Sequence, residues 1–330
     1  ALDQVFGLTL DPSLFYLSNH IRFLSDGTLL SEITDAPDMH LTQRWDFDAE
    51  LHKRAIAAGA TAHLGQPLRD LDLAAQTVTL RDGTTLGYRV LIGADGVSSP
   101  IAKALFGKAY DPKTIGFGYE VEAPHDHPNS SAVEVDFTAA DWGYGWSFPK
   151  PGSQTIGVGG VQSRSPDMAA AMTRFVDQTG ADPQGAKRKG HFLPFGDYNQ
   201  TPGKGTVLLA GDAAGLVDPI TGEGIALALE SGQLAATAAI AALHAEAPQT
   251  AYRRYKRALR PIHRSLSHAR RWRWLIFPKA TQPAFIAAFA RGSSMPARYL
   301  DLLAGRLDYS DLHWIYLKKL PKAAMVLLLS

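Results

Sequence analysis

The sequence of 330 residues contains no cysteine. Disulfide bonds, thiolate metal sites and a cysteine nucleophile are therefore excluded within these residues. Long apolar runs are also lacking, because none reaches the roughly 18 consecutive residues that indicate a membrane-spanning helix. The apolar segment 323–330 is shorter than that and predicts a docked terminal segment. Neither sign of charge dominates, and the net charge of +1 indicates no particular partner.

The composition is that of a globular protein, with 45% hydrophobic and 20% charged residues. The length predicts one large domain or two interleaved domains. Hydrophobic periodicity and turn residues predict the following elements: strands within 15–43, a helix at 46–59, a β-meander at 61–92, a helix at 98–107, strands within 113–160, a helix at 166–180, loops up to 205, a buried strand at 206–214, a helix at 224–243 and helices after 250. This order predicts an α/β fold with a second, largely antiparallel sheet.

The strongest motif for chemistry is the segment VLLAGDAAG at 207–215, which continues as DPITGEGI at 218–225. An apolar strand delivers Asp212 at its carboxyl end, where open α/β sheets bind ligands. The loop then leads directly into a helix, whose first amides are free to face negative charge. We expect Asp212 to accept hydrogen bonds from sugar-like hydroxyls, and the amides near Gly224 and Ile225 to face an anionic group.

Two shorter motifs precede it. GADGVSSP at 93–100 follows another buried strand, and RWDFDAEL at 44–51 opens a helix. Taken alone, an Asp-Gly pair is a common tight turn, and Arg44 is an ordinary surface arginine before a capped helix.

Together the three motifs resemble those of FAD-dependent oxidoreductases of the p-hydroxybenzoate-hydroxylase type. The resemblance implies FAD as the cofactor, with NADPH or another reductant as its electron source. It implies that Asp212 binds the ribityl chain, that Arg44 binds the pyrophosphate through its two-pronged guanidinium, and that backbone at Leu68 contacts the adenine. The remaining residues that it implies for FAD are Asp95, Gly96, Gly211, Pro219, Gly222, Gly224 and Ile225.

One motif of such proteins is not found, namely G-x-G-x-x-G on an opening βαβ unit. The glycine cluster at 157–160 follows a strand but precedes no helix pattern, so it is not a dinucleotide loop. We expect a strand–G-x-G-x-x-G–helix unit to precede Ala1 in the encoded protein.

A fourth motif, YGWSFP at 144–149, is followed after seven residues by GVG at 157–159. It resembles the Y-x-W-x-F-P…G-x-G signature of geranylgeranyl reductases, whereas flavin halogenases carry a related W-x-W-x-I-P. Alternate strand positions place three aromatic rings on one face, which suits either a sheet packing on its own core or an apolar substrate channel. The resemblance favours a channel for a prenyl lipid, with these substrate residues: Tyr144, Trp146, Phe148, Gly157 and Gly159.

The segment 252–279 contains ten Lys and Arg and no Asp or Glu, interleaved with tryptophans. Basic residues beside tryptophans suit an anionic membrane surface. A solvated helix face around a buried aromatic side is the alternative. No nucleic-acid module accompanies the segment, so we expect no nucleic-acid partner, and no histidine pattern predicts a metal site.

These observations predict an FAD-binding Rossmann-like domain at 1–110 and 200–245, an inserted antiparallel sheet domain for substrate at 111–199, and a helical C-terminal region at 246–330. The expected reaction is hydride transfer from reduced flavin to carbon–carbon double bonds of a geranylgeranyl-type lipid. A flavin monooxygenase or halogenase, and a non-catalytic lipid-surface binding protein, are the alternatives. We expect a cytoplasmic protein with possible peripheral contact to a membrane, and the sequence identifies no catalytic acid.

Overall fold

The computed structural model of the protein describes residues 11–124, 132–196, 198–292 and 294–317. Its main feature is a seven-stranded sheet. In spatial order the strands are β13 (Lys189–Leu193), β9 (Gly116–Pro124), β12 (Ser153–Val161), β11 (Gly143–Lys150), β10 (Val133–Asp136), β2 (Ile21–Ser25) and β3 (Thr28–Ile33). All neighbours are antiparallel except β10 and β2, which are parallel.

The sequence predicted the central four strands of this sheet but not its edges. β2 and β3 lie in a segment assigned from sequence to the FAD-binding domain, yet they extend the second sheet through β10. β13 lies where the sequence predicted a loop. Only two of its five residues are even partly buried, so this edge strand carries almost no alternation of apolar and polar residues.

A second sheet is small and carries the two Asp-containing motifs. It consists of β14 (Gly203–Lys204), β15 (Val207–Leu209) and β8 (Leu91–Gly93), and β15 and β8 are parallel. The sequence placed the strand at 89–94 at the end of a meander. The meander instead contains only β5 (Leu68–Asp72), β6 (Thr77–Leu80) and β7 (Thr85–Gly87). β8 leaves it because its apolar residues pack into the core beneath β15.

The helices lie close to their predicted positions, with ends shifted by one or two residues where both ends were predicted. They are α1 (Arg44–Ala57), α2 (Pro100–Phe106), α3 (Met168–Thr179), α4 (Ile225–His244), α5 (Ala251–Ala258), α6 (Arg260–Ile276), α7 (Gln282–Arg291), α8 (Ser294–Leu303) and α9 (Tyr309–Leu317). A short pair of strands, β1 (Tyr16–Ser18) and β4 (Met39–Leu41), completes the fold. Within the described ranges, α4 alone is long and apolar enough to cross a membrane, and its Ala235, Ala238 and Ala242 are buried in the core.

Two hydrophobic cores meet at one loop. The first packs α4, α5 and α6 against β15, and the second packs α6 to α9 against β2 and β10. The loop between β15 and α4 joins them, because Leu216 is buried in the first core and Ile220 in the second. This loop carries the motif at 207–225, so the strongest sequence signal lies where the two packing units touch.

Candidate functional site

The two Asp-containing motifs emerge at the same edge of the small sheet. Leu209 is paired with Gly93 across the parallel strands. The Ala210 amide donates a hydrogen bond of 2.9 Å to the Gly93 carbonyl. Asp212 and Asp95 follow within three residues of that pair, so both lie at the carboxyl end of the sheet, where α/β folds bind ligands.

The Asp212 carboxylate has unused capacity to accept hydrogen bonds. It is half-buried in the short 3₁₀ turn Gly211–Ala214. Burial raises the pKa of its carboxyl, and the Arg44 guanidinium offsets part of that rise. Within the described residues no protein donor reaches this carboxylate, although buried polar groups are normally hydrogen-bonded. The ribityl hydroxyls of FAD would supply such donors, so the site fits this cofactor.

Close backbone packing at Gly211 also fits. Its φ of +56° is a left-handed conformation that favours glycine. A Cβ there would stand 3.1 Å from the Cβ of Ala228 on α4. The chain therefore turns sharply just before Asp212, which holds that carboxylate at the sheet edge.

Arg44 and Asp95 make local contacts of their own. Arg44 is exposed at the start of α1, and its Nη2 lies 3.0 Å from Asp48 Oδ2. Asp95 is exposed and accepts a hydrogen bond of 3.2 Å from the Ile101 amide at the start of α2. Gly96 beside it has a φ of +79°, and Leu68 is partly buried at the start of β5. Direct contact of these four residues with FAD stays a prediction.

The loop ahead of α4 is closed around the Asp218 side chain. Asp218 Oδ1 accepts hydrogen bonds from the amides of Ile220 (2.8 Å) and Thr221 (2.9 Å). Its backbone pairs with Glu223 and Gly222. Burial raises the pKa of the Asp218 carboxyl, and these backbone donors lower it in part. The sequence motif contained Asp218, but its spacing gave no sign that the carboxylate would fold back on its own loop.

The first turn of α4 differs from the expectation of free amides near Gly224 and Ile225. Glu223 Oε1 accepts a hydrogen bond of 2.7 Å from the Ala226 amide. A carboxylate there is favoured by the helix dipole. The protein's own carboxylate thus occupies part of the predicted anion site. Burial raises the pKa of Glu223, which the nearby Asp218 raises further.

Tyr144 connects this loop to the seven-stranded sheet. Its phenol donates a hydrogen bond to the Thr221 carbonyl. Gly222 has a φ of +70°, and a Cβ there would stand 2.6 Å from the same phenol oxygen. Burial, with Asp218 and Glu223 nearby, raises the pKa of Tyr144. Tyr144 is the first of the three aromatic residues predicted to share one face of β11, which we call the aromatic stripe. It is therefore hydrogen-bonded directly to the loop of the motif at 207–225.

Trp146, in the middle of the aromatic stripe, packs against glycines of the neighbouring strand. Tyr144, Trp146 and Phe148 share one face of β11, and Trp146 is paired with Gly157 on β12. A Cβ at Gly157 would overlap the indole ring, and one at Gly159 would stand 3.2 Å from it. The two glycines of the motif thus make room for Trp146, whereas direct substrate contact by any stripe residue stays a prediction.

A large apolar cavity borders the loop at Ile220. Its volume is about 430 Å³. Its walls come from the C-terminal helices, from the second core and from the loop itself; they include Phe137, Ile220, Phe285, Phe289, Tyr299 and Tyr309. The stripe residues are not among its lining. Sequence reasoning missed this cavity because helices α7 to α9 carry no motif, and because the segment 252–279 on α5 and α6 was interpreted as a membrane surface or a solvated helix face.

In the part of the chain that the structure describes, no group of three or more metal-ligating side chains lies together. The apolar segment 323–330 falls outside the described residues.

Comparison with known proteins identifies the family. The sequence model of the tryptophan halogenase family matches residues 35–276. Menaquinone reductase of Mycobacterium tuberculosis is 32% identical over 58% of this chain and 52% of its own length. Geranylgeranyl diphosphate reductase of Rhodobacter capsulatus is 32% identical over 63% of this chain and 56% of its own length. The chain spans about half the length of the curated relatives that it matches.

Among solved structures, a geranylgeranyl bacteriochlorophyll reductase-like protein of Thermoplasma acidophilum superposes with a TM-score of 0.73 at 18% identity, covering 88% of this chain and 80% of the other. This confirms the predicted α/β fold of the FAD-binding flavoproteins. The chain belongs to the tryptophan halogenase family, and its curated relatives include a geranylgeranyl diphosphate reductase and a menaquinone reductase.

Proposed function

We propose that the chain belongs to an FAD-dependent oxidoreductase that reduces carbon–carbon double bonds of a geranylgeranyl-type prenyl lipid. The observation that carries this proposal is the apolar cavity that reaches Ile220, a residue of the loop in the strongest FAD motif. Its volume of about 430 Å³ lies within the usual range for ligand sites, roughly 300–1,000 Å³. Aromatic and aliphatic walls suit a substrate whose affinity comes from buried apolar surface.

FAD would be held by residues at the carboxyl edge of the small sheet and on α1. Asp212 would take the ribityl hydroxyls and Arg44 the pyrophosphate, with Asp95, Gly96 and Leu68 beside them. Pro219, Gly222, Gly224 and Ile225 would lie along the flavin ring. Bound and reduced, the flavin supplies the hydride, while the protein supplies position and electrostatics. We expect NADPH or another small reductant to reduce it.

The predicted domains would have different binding roles. Residues 1–110 and 200–245 would hold the cofactor, and 111–199 with the helical region 246–330 would enclose the lipid. Tyr144 would hold the loop at Thr221 in place. Trp146, which packs on Gly157 and Gly159, and Phe148 beside it would bound the substrate on the sheet side.

A cytoplasmic protein that touches an anionic membrane would reach such a substrate. α5 and α6 carry the basic segment 252–279, and most of its cations are exposed. Trp274 and Leu275 are about half exposed on α6, at 51% and 52%. Arg273 is the exception, because it is buried and its Nη1 donates a hydrogen bond of 3.0 Å to the Gly196 carbonyl. The surface proposal therefore rests on the other cations.

A flavin halogenase or monooxygenase is the second candidate, favoured by the match of residues 35–276 to the tryptophan halogenase model. Such an enzyme would consume oxygen in proportion to product, whereas a reductase needs none. A lipid-surface protein without catalysis would show no flavin absorption in the visible range.

The test uses full-length protein with chemically reduced flavin, geranylgeranyl lipids and strict anaerobiosis, with double-bond loss followed by mass spectrometry. Reduction without oxygen supports the proposal. Oxygen-dependent turnover of an aromatic compound, without reduction of any polyprenyl lipid, would establish the second candidate instead.

A pair of variants on α7 tests the cavity. Ala284 lines it and Ala288, on the same helix, does not. Ala284→Trp should block lipid reduction while flavin stays bound. Ala288→Trp, the same substitution outside the cavity, should leave reduction unchanged.

A further inference from the structure

Tyr309 and the carboxyl group of Asp218 are in contact where the apolar cavity borders the loop between β15 and α4. Tyr309 opens α9, lines the cavity and is only 4% exposed. Its phenol donates a hydrogen bond of 3.1 Å to Asp218 Oδ1. Asp218 starts the loop that carries Ile220 into the cavity wall. A phenol hydroxyl and a carboxyl group thus lie together beside a largely apolar space.

We propose that Tyr309 donates the proton that completes double-bond reduction, and that Asp218 positions it and restores its proton. This inference rests on the proposed function, since saturation of a double bond requires both a hydride and a proton. The sequence identified no acid for this step.

The geometry favours Tyr309 over the other donors in the cavity wall. Arg298 also lines the cavity, but a guanidinium does not release a proton in a protein. Tyr299 lines it as well. Within the described residues, however, Asp218 accepts a hydrogen bond from Tyr309 and not from Tyr299. Tyr309 is therefore the hydroxyl that has a proton source attached to it.

The carboxyl group is arranged to carry that proton. Oδ1 accepts from Tyr309 and from the amides of Ile220 and Thr221. The Thr221 side chain also hydrogen-bonds this carboxyl group, and the Tyr309 contact is the path by which a proton on Asp218 would reach the phenol. Burial raises the pKa of Asp218, so the neutral acid persists to higher pH than in water.

The step balances as follows. A hydride from the reduced flavin would add to one carbon of the double bond and carry both electrons. The O–H bond of Tyr309 breaks, and a C–H bond forms at the other carbon. The phenolate then takes the proton of Asp218, because burial holds the pKa of the phenol well above its usual value of 10. Asp218 regains its proton from solvent before the next turnover.

Several titratable groups surround Asp218. Tyr144, Tyr299 and Tyr309 all sense its charge, and Glu223 lies on the same loop. Arg298 is the cation in the nearby cavity wall. Since the neutral form of Asp218 is the competent one, activity should fall as pH rises through its raised pKa.

The first test compares Tyr309→Phe with Tyr255→Phe in full-length protein. Both remove one buried phenol hydrogen bond, because Tyr255 donates to the Leu209 carbonyl at 2.8 Å, away from the cavity. Tyr309→Phe should slow double-bond reduction by about 10²-fold, the typical contribution of a general acid. It should still bind flavin, and it should still bind N-phenyl-1-naphthylamine as an apolar probe of the cavity. Tyr255→Phe should keep the wild-type rate. An unimpaired Tyr309→Phe overturns the proton donor, whereas inactive wild-type protein overturns the proposed function.

The second test needs neither substrate nor turnover. Infrared spectroscopy of wild-type protein over a pH titration should show the carbonyl band of a protonated carboxyl group persisting to higher pH than for an exposed aspartate; Asp218→Asn removes this band and Tyr309→Phe shifts it. Asparagine keeps the oxygen that accepts from Ile220 and Thr221, so the loop should persist. In active protein, Asp218→Asn should also abolish the loss of rate at high pH. Absence of a band assignable to Asp218 would overturn its role as proton source.

Discussion

The indole ring of Trp146 lies over Gly157 on the neighbouring strand, so closely that a Cβ at 157 would overlap the ring. The two residues are directly paired in the β11–β12 register, and Tyr144 is paired with Gly159 in the same way. The aromatic half and the glycine half of the sequence motif are therefore one structural unit. The number of residues between the two halves of the motif is the number that the antiparallel β11–β12 pairing requires to place these residues opposite each other.

Replacing Gly157 with alanine should consequently destabilise the protein. The added methyl group meets a packed ring, and overpacking of this kind typically costs about 1–3 kcal/mol. Gly157 has no positive φ, so the cost is steric and not conformational. The free energy of unfolding in urea is the measurement.

Gly159→Ala is the matched control, because a Cβ there stands 3.2 Å from the ring and needs only a small shift. It should cost clearly less. In Trp146→Ala protein the effect of Gly157→Ala should vanish, which a double-mutant cycle detects. An equal penalty with and without the indole would contradict the packing explanation.

Hydrophobic periodicity and turn residues were enough to predict where most helices and strands lie, because each is set by local patterns. They also predicted that the Asp95 and Asp212 motifs would follow buried strands. They could not predict that β8 would leave the meander to pair with β15, since that choice depends on burial by distant residues. For the same reason the parallel pairing of Val133 with Ile21, over a hundred residues away, had no signal in the sequence.

The sequence also gave no prediction of the cavity or of the Tyr309–Asp218 pair at its edge. Tyr309 and Asp218 are 91 positions apart, and Tyr309 belongs to no motif. Their contact follows from packing of the C-terminal helices on the second core. Motifs indicated the side expected to hold the cofactor, and only the tertiary structure revealed the side expected to hold substrate.

Asp212→Ala should weaken FAD retention while leaving the fold intact. The carboxylate is half-buried without a protein donor in the described residues, so it is available to ligand hydroxyls. Hydrogen bonds to a charged group contribute roughly 1.5–3 kcal/mol each, which corresponds to about tenfold or more in affinity. Equilibrium dialysis followed by visible absorption measures the flavin that remains. Asp212→Asn, which keeps one acceptor oxygen, should show a smaller loss, and a full flavin complement in the alanine variant would refute the role.

Arg44→Ala should lower FAD affinity without lowering stability. Arg44 and Asp48 are 64% and 54% exposed, and surface ion pairs contribute only about 0–1 kcal/mol. A guanidinium on a pyrophosphate makes stronger, two-pronged hydrogen bonds. Asp48→Ala breaks the same ion pair but leaves the cation, so it should keep FAD affinity or raise it. Equal FAD loss in the two variants would show that the ion pair, and not the cation, matters.

Binding to anionic vesicles should depend on one face of α6. Arg264, Arg271 and Leu275 are exposed on that helix, and the spacings of seven and four residues place them on the same side. Each cation near an anionic surface contributes about 1 kcal/mol, so Arg264→Glu/Arg271→Glu should weaken binding at least tenfold. Arg81→Glu, a charge reversal on an exposed turn elsewhere, should not.

Raising salt from 0.1 M to 1 M shortens the screening length from about 10 Å to about 3 Å, and wild-type binding measured by vesicle sedimentation should fall with it. Equal partition onto neutral and anionic vesicles would remove the electrostatic contribution and leave only the exposed Trp274 and Leu275 as contacts.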